Sequence, residues 1–71
     1  MLYAKGALQD GAEQSAGTAP EEEARAWLDL KVRSHLAHGW EVHQVDSDSY
    51  LAHKDYPDRR KERLLFVRLI G

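Results

Sequence analysis

Apolar residues recur at helical spacing between residues 18 and 38, and the pattern changes to strand-like alternation directly afterwards. The apolar positions share one broad face of a helix: Ala24, Trp27, Leu28, Val32 and Leu36. Thr18 and Glu21 have the spacing of a capping box, with Pro20 in the first turn. Gly39 supplies the left-handed conformation that ends a helix. The pattern therefore predicts a helix that begins near Thr18 and ends at Gly39.

The strand that follows Gly39 has an apolar and a more polar side. The apolar side holds Trp40, Val42 and Gln44, and the more polar side holds Glu41, His43 and Val45. Alternation with a period of two is typical of a strand with one buried side. Residues 46–49 have the composition of a turn, so we expect residues 50–54 to return as the second arm of a hairpin.

Residues 62–70 form the most hydrophobic segment, and apolar side chains occur on both sides of this predicted strand. One side holds Leu65, Val67 and Leu69, and the other holds Leu64, Phe66 and Ile70. A strand of this kind is usually covered on both faces, and a single helix covers only one. Either something else covers the second face, most simply a second copy of the chain, or the strand leaves its second apolar side exposed.

The N-terminal segment, residues 2–8, alternates weakly and predicts a strand with Leu2, Ala4, Gly6 and Leu8 toward the core. Residues 9–19 lack large apolar side chains and contain two glycines, which indicates a flexible connection. Residues 55–61 indicate a charged loop. Together, residues 1–71 predict a single small α+β domain. One helix packs on a three- to four-stranded, mainly antiparallel sheet, in the order βαββ or βαβββ.

A Gly-Trp-Glu motif links the helix to the next strand, and an apolar strand closes the chain. The positions concerned are Leu36, Gly39, Trp40, Glu41 and Val42, then Leu65, Phe66 and Val67, with residues 2–5 as first strand. In this order the chain resembles a group of small bacterial and phage domains of unknown function. The resemblance implies a compact βαββ fold and no catalytic residues. The long 9–19 connection and the 55–61 loop depart from that pattern.

Length and composition are those of a small globular domain. The chain has 71 residues, of which 42% are hydrophobic and 31% charged, and it has no cysteine. Disulfides and thiolate zinc sites are therefore excluded, and self-association is the remaining way to stabilise so short a chain. No apolar run is long enough to cross a membrane, and no signal peptide is recognisable, so we expect a cytoplasmic protein with no membrane partner.

Charge is distributed unevenly along the chain. The first 30 residues carry two basic and six acidic side chains, a net charge of −4, and the remaining 41 carry eight basic and six acidic, a net charge of +2. Arg59, Arg60, Lys61 and Arg63 form a basic cluster that Lys54 could extend. With Tyr50, Tyr56 and Phe66 as stacking faces, this cluster is the basis for an alternative function, nucleic-acid binding. The same cluster could pair with Glu21 to Glu23 of a neighbouring copy.

Candidate chemistry is sparse. His35 and His38 lie one helical turn apart, and His43 follows in the next strand, but their predicted directions do not converge on a metal ion. Asp46 to Ser49, with His43 and His53 nearby, contain residue types used in catalysis, although a turn explains these contiguous residues. We therefore expect no enzyme activity, no catalytic residue, no metal and no cofactor.

The sequence thus favours a non-enzymatic protein-interaction module that associates with itself or with another protein, as a small regulatory or phage-type accessory protein. The predicted interaction residues belong to two groups. The sheet side opposite the helix contributes Glu41, His43, Leu64 and Phe66, and the basic segment contributes Arg59, Arg60, Lys61 and Arg63.

Overall fold

Five strands and one helix follow one another in the computed structural model, which describes all 71 residues. The elements are β1 (Leu2–Gln9), β2 (Ala12–Pro20), α1 (Glu21–Ala37), β3 (Glu41–Asp46), β4 (Ser49–Asp55) and β5 (Arg60–Leu69). The strands form one antiparallel sheet in the order β2-β1-β5-β4-β3, and α1 packs on one of its faces. The predicted α+β class is confirmed, although the sheet has five strands instead of three to four.

The additional strand is β2, and the predicted flexible connection over residues 9–19 is therefore wrong. Asp10 and Gly11 have φ values of 53° and 76°, as in the two-residue turns that close tight hairpins. Gln9 then pairs with Ala12, and the pairing continues to Leu2 with Pro20, with one irregularity. Every residue from 12 to 18 is exposed, so backbone pairing with β1 holds this strand in place. A search for apolar alternation cannot detect such a strand.

The helix begins at Glu21, and the predicted capping box at Thr18 is wrong. Thr18 lies in β2, where its backbone pairs with Ala4, and no side chain caps the helix N-terminus. The strand continues to Pro20 and leaves no turn between β2 and α1. Glu21 instead accepts hydrogen bonds from the Tyr3 hydroxyl at 3.1 Å and from Arg25 at 3.0 Å.

The helix C-terminus ends as predicted at Gly39, which has a φ of 85°. The Gly39 N–H donates to the Leu36 carbonyl at 3.1 Å, and the Trp40 N–H donates to the His35 carbonyl at 2.9 Å. These two bonds form a Schellman motif, and the Trp40 ring packs edge-on against His35 at 5.1 Å between centroids. The turn therefore directs Trp40 and the start of β3 under the helix.

The core between helix and sheet is small. Its buried apolar members are Tyr3, Ala19, Ala24, Leu28, Ala52, Leu65 and Val67, and half-buried residues including Trp27, Trp40, Val42 and Tyr50 pack around them. The predicted inward sides of β3 and β5 are thus confirmed at Trp40, Val42, Leu65 and Val67.

Two predictions about the core are wrong. In β1 the inward residues are Tyr3 and Ala7, whereas Leu2 and Leu8 are exposed, because Tyr3 is the residue that reaches α1 at Glu21. In α1 the face that meets the sheet runs through Ala24, Leu28 and His35, so Leu36 is turned outward and is 54% exposed.

Candidate functional site

The sheet face opposite the helix is uncovered, and we call it the open face. Its central row crosses four strands, since Leu8 pairs with Leu64, Leu64 with Leu51, and Leu51 with His43. Leu51 and Leu64 are half-buried, and Leu8 is 39% exposed. Three leucines therefore lie side by side across the middle of the sheet with no element of the chain above them.

Phe66 lies beside this apolar row, two residues further along β5 on the same face. Its strand partner is Gly6, and a Cβ at Gly6 would lie 3.0 Å from Phe66 Cζ and 2.9 Å from the Gln14 carbonyl oxygen. The Phe66 ring thus rests on the backbone of β1. The Arg68 guanidinium covers the ring at 5.3 Å, and a shallow groove of about 360 Å³ opens beside Phe66.

Charged residues occupy the two ends of the open face. At one end, His53 pairs with Glu41 on β3 and with Glu62 on β5. At the other end, Arg68 lies 3.6 Å from Glu13. The face is therefore apolar in the middle, acidic with histidines at one end, and mixed in charge at the other, where Asp46 lies near the Arg68–Glu13 pair.

The structure places four of the predicted interaction residues together on the open face, namely Glu41, His43, Leu64 and Phe66. It disperses the four basic ones. Arg60 pairs with Asp55 at 2.8 Å, and this carboxylate raises the pKa of Arg60. Lys61 lies with Lys54 against the ring of Tyr56, at 5.4 and 5.6 Å, and Arg59 is exposed.

Arg63 lies on the helix side of the sheet, where three contacts hold it. Its Nε donates to Gln9 Oε1 at 2.9 Å, one terminal nitrogen donates to His35 Nε2 at 2.8 Å, and its guanidinium lies 4.8 Å above the Trp40 ring. Tyr50 also lies on that side, packed against the core, whereas Phe66 lies on the open face. The structure does not assemble the stacking platform, and nucleic-acid binding stays a prediction.

His35 is a buried, neutral imidazole. Arg63 can only donate hydrogen bonds, so His35 Nε2 must accept, and Nδ1 then carries the proton that it donates to the Lys31 carbonyl at 2.6 Å. Burial lowers the pKa of His35, and the nearby charges of Arg63 and Lys31 act in the same direction. A neutral His35 cannot be the cation that favours the negative end of the helix dipole. Lys54 takes that role, donating to the His38 carbonyl at 2.6 Å.

The turn between β3 and β4 forms as predicted. Asp46 Oδ1 accepts hydrogen bonds from the Asp48 N–H and the Ser49 hydroxyl, both at 2.8 Å, and these bonds lower the pKa of Asp46. Asp48 in turn binds Arg25 of the helix at 2.9 Å. The carboxylates of this segment are therefore engaged in fixing the turn and in tying it to α1.

A cluster of three potential metal ligands lies at the acidic end of the open face. Glu41, His43 and His53 each offer a ligand atom, and these atoms lie within 4.8 Å of one another. The two imidazole rings are stacked, with centroids 5.6 Å apart and planes 15° apart, and His53 Nε2 lies 3.5 Å from a Glu41 carboxylate oxygen. His53 Nδ1 is buried and has no hydrogen-bond partner.

The candidate set of His35, His38 and His43 does not converge. His35 and His38 each bind the carbonyl one turn back in the helix. His43 instead meets His53. The sequence feature that could have indicated this cluster is a Glu-x-His pair on one strand of the hairpin and a histidine on the other. That feature predicts a cluster only when the register of the β3–β4 hairpin is known, and the 46–49 turn sets this register.

No protein-family model, no curated protein and no solved structure matches this chain. The resemblance to small bacterial and phage domains therefore gains no support from these comparisons. The single helix of the structure lacks the length and apolar character needed to cross a membrane.

Proposed function

We propose that this protein is a non-enzymatic interaction module that self-associates through the open face. The observation that carries the proposal is the row of Leu8, Leu64 and Leu51, continued by Phe66, on a sheet face that no element of the chain covers. Apolar side chains adjacent to one another across strands gain most when a second apolar surface removes them from water. A second copy supplies such a surface without any further gene product.

The dimensions of the open face suit a dimer of moderate affinity. Five strands about 4.8 Å apart and on average about eight residues long at roughly 3.3 Å per residue give a face of about 630 Å². Two such faces bury about 1,260 Å² in total, which passes the roughly 1,000 Å² expected of a specific interface and falls short of the standard 1,600 Å². The association is therefore a concentration-dependent equilibrium.

The charges at the two ends of the open face favour one arrangement of the two copies. When the twofold axis lies across the strands, the Arg68 end of each copy meets the Glu41 and Glu62 end of the other. An axis along the strands would place the acidic Glu41 and Glu62 ends of the two copies against each other. Repulsion of this kind selects the register of an interface more than it changes its affinity.

The small core supports the same proposal. Only 10 of the 71 residues are buried, and the largest fully buried side chain is a leucine, Leu65. Domains of this length gain little stability from a single core. A second copy on the open face would form a second apolar layer. The apolar residues on both sides of β5 indicate that such a layer is needed.

Sedimentation equilibrium in the presence of EDTA tests this proposal, because EDTA removes any contribution from metal ions. We expect the wild-type chain to dimerise with rising concentration and Leu64→Glu to remain monomeric, since the substitution places a charge in the central row. Leu30→Glu is the matched control, because Leu30 is a leucine on the outer side of the helix that is 63% exposed. Leu8→Glu provides a second open-face variant, and circular dichroism verifies that each variant is folded. A wild-type monomer at high micromolar concentration would contradict the proposal.

Regulatory or phage-type accessory roles and a cytoplasmic location belong to the same proposal. The absence of cysteine supports the location, because reducing compartments do not use disulfides to stabilise small domains. A protein that acts by binding and catalyses no reaction needs only an interaction surface such as the open face.

A further inference from the structure

We propose that Glu41, His43 and His53 form a binding site for a divalent transition-metal ion, with zinc as the physiological candidate. The site lies at the acidic end of the open face, on the hairpin formed by β3 and β4.

The hairpin register brings the three ligands together. Glu41 and His43 are two residues apart on β3 and therefore lie on the same side of the strand. His53 is the direct partner of Glu41 on β4 and the diagonal neighbour of His43. The backbone thus holds the three side chains at adjacent positions of one rigid hairpin, as a preorganised site requires.

The distances permit coordination once the His43 ring rotates out of its stack on His53 and Glu41 turns toward the ion. Ligand atoms about 2.0–2.1 Å from a tetrahedral zinc ion lie about 3.3 Å from one another. The ligand atoms of the cluster already lie within 4.8 Å of one another. Glu41 and His43 are exposed and can rotate toward the ion, whereas the His53 side chain is only 11% exposed and supplies the fixed point.

The nitrogens of His53 are not engaged elsewhere, unlike those of the other buried histidine. His35 uses both of its nitrogens in hydrogen bonds, to Lys31 and Arg63. In His53, Nδ1 is buried without a partner, and Nε2 faces the Glu41 carboxylate at 3.5 Å, too far for a strong charge-assisted bond. A metal ion bound by Nε2, the nitrogen that faces Glu41, would replace this weak contact with a coordination bond.

The surrounding charge attracts a cation. His53 lies between Glu41 and Glu62 in the register of the sheet, so two carboxylates flank it. Arg60 lies on the same face and is attracted to Glu41 and Glu62, but its pairing with Asp55 leaves the carboxylates in excess. The local field therefore favours a divalent ion over an anion.

The ligand types select the class of metal. Two imidazoles and one carboxylate suit zinc and the neighbouring transition metals, whereas magnesium and calcium prefer oxygen ligands alone. Three protein ligands leave a fourth coordination position, which faces the solvent at the exposed side of β3 and is taken by water.

Titration of the metal-free, untagged chain with cobalt(II), followed by visible absorption, tests the site, with zinc added afterwards as a competitor. We expect one cobalt ion per chain, displacement by zinc, and affinity reduced by about tenfold or more in His43→Ala and Glu41→Gln. His38→Ala is the matched control, because His38 is an exposed histidine at the helix end. Absence of cobalt binding, or unchanged affinity in His43→Ala, would overturn the assignment.

Two further measurements keep the test independent of folding and of dimerisation. Zinc should raise the melting temperature of the wild-type chain and of His38→Ala, and leave that of His43→Ala unchanged. The titration is repeated on the Leu8→Glu variant, whose new carboxylate lies one strand farther from the ligands than residue 64. We expect the same cobalt affinity there, since all three ligands belong to one copy. Loss of binding in that variant would contradict a site formed within one chain.

Discussion

His35 is the residue at which local pattern and final environment differ most. Its position in the last turn of α1 would suit a cation, because the helix dipole is negative there, yet the structure buries it as a neutral group between Lys31 and Arg63. The difference arises because Arg63 comes from β5, 28 residues further along the chain. The sequence could predict that His35 lies near the helix end, but not which charged partner the sheet would bring to it.

The buried His35 makes stability depend on pH. Because folding lowers the pKa of His35, the unfolded chain binds a proton first as the pH falls through the ordinary imidazole pKa of about 6.5. The contribution of neutral His35 is fully present above that pH and is lost below it. We therefore expect the free energy of unfolding, measured with urea, to decrease between pH 7.5 and pH 5.5.

His35→Gln isolates this effect, because the two proteins differ only at residue 35. The decrease in stability between the two pH values should be smaller in His35→Gln than in the wild-type chain, because glutamine does not titrate. Equal decreases in the two proteins would mean that His35 is not the group responsible.

At the scale of elements, the helix, its end at Gly39 and the outward and inward sides of β3 and β5 could be predicted from periodicity. These elements bury apolar side chains at a regular spacing, and this spacing is visible in the sequence as periodicity. β2 buries almost nothing, and β1 places Tyr3 inward instead of its leucines. Backbone pairing with β1 holds β2 in place, and the contact of Tyr3 with Glu21 orients β1. Neither interaction produces an apolar pattern in the sequence.

The β1–β2 hairpin depends on its two-residue turn. Gly11→Val should destabilise this hairpin, because a β-branched residue does not tolerate the φ of 76° found there. We expect the backbone amides that pair β2 with β1 to exchange faster with deuterium in Gly11→Val, while the β3–β4 hairpin keeps its protection.

Asp10→Gly serves as the control for the turn, since glycine also adopts the positive φ of Asp10. That variant should keep most of the protection of β2. Unchanged exchange in Gly11→Val would show that β2 is held by something other than its turn and its pairing with β1.

The candidate metal ligands also belong to the element scale. Glu41 and His43 could be assigned to one side of a strand from the sequence alone. His53 could not be matched to them, because a shift of one residue in the β3–β4 register would move it to the other face. The turn at Asp46 and Ser49 sets that register through side-chain hydrogen bonds.

At the scale of the whole molecule, one helix and five strands leave a sheet with two chemically different faces. The helix side holds the small core and the buried His35 and Arg63. The open face holds an apolar row between an acidic end and an end of mixed charge. The two-sided apolar pattern of β5 already indicated that the second face needs a cover, and the structure shows that the chain itself provides none.

Isotope-filtered nuclear Overhauser spectroscopy on a mixture of carbon-13-labelled and unlabelled chains tests the central claim most directly, because it detects only contacts between copies. With EDTA present, we predict intermolecular contacts at the Leu51 and Leu64 methyl groups and the Phe66 ring. Leu30 and Leu36 on the outer side of the helix should show none. Intermolecular contacts confined to the helix, or none at a concentration where the chain sediments as a dimer, would contradict the assignment of the open face as the interface.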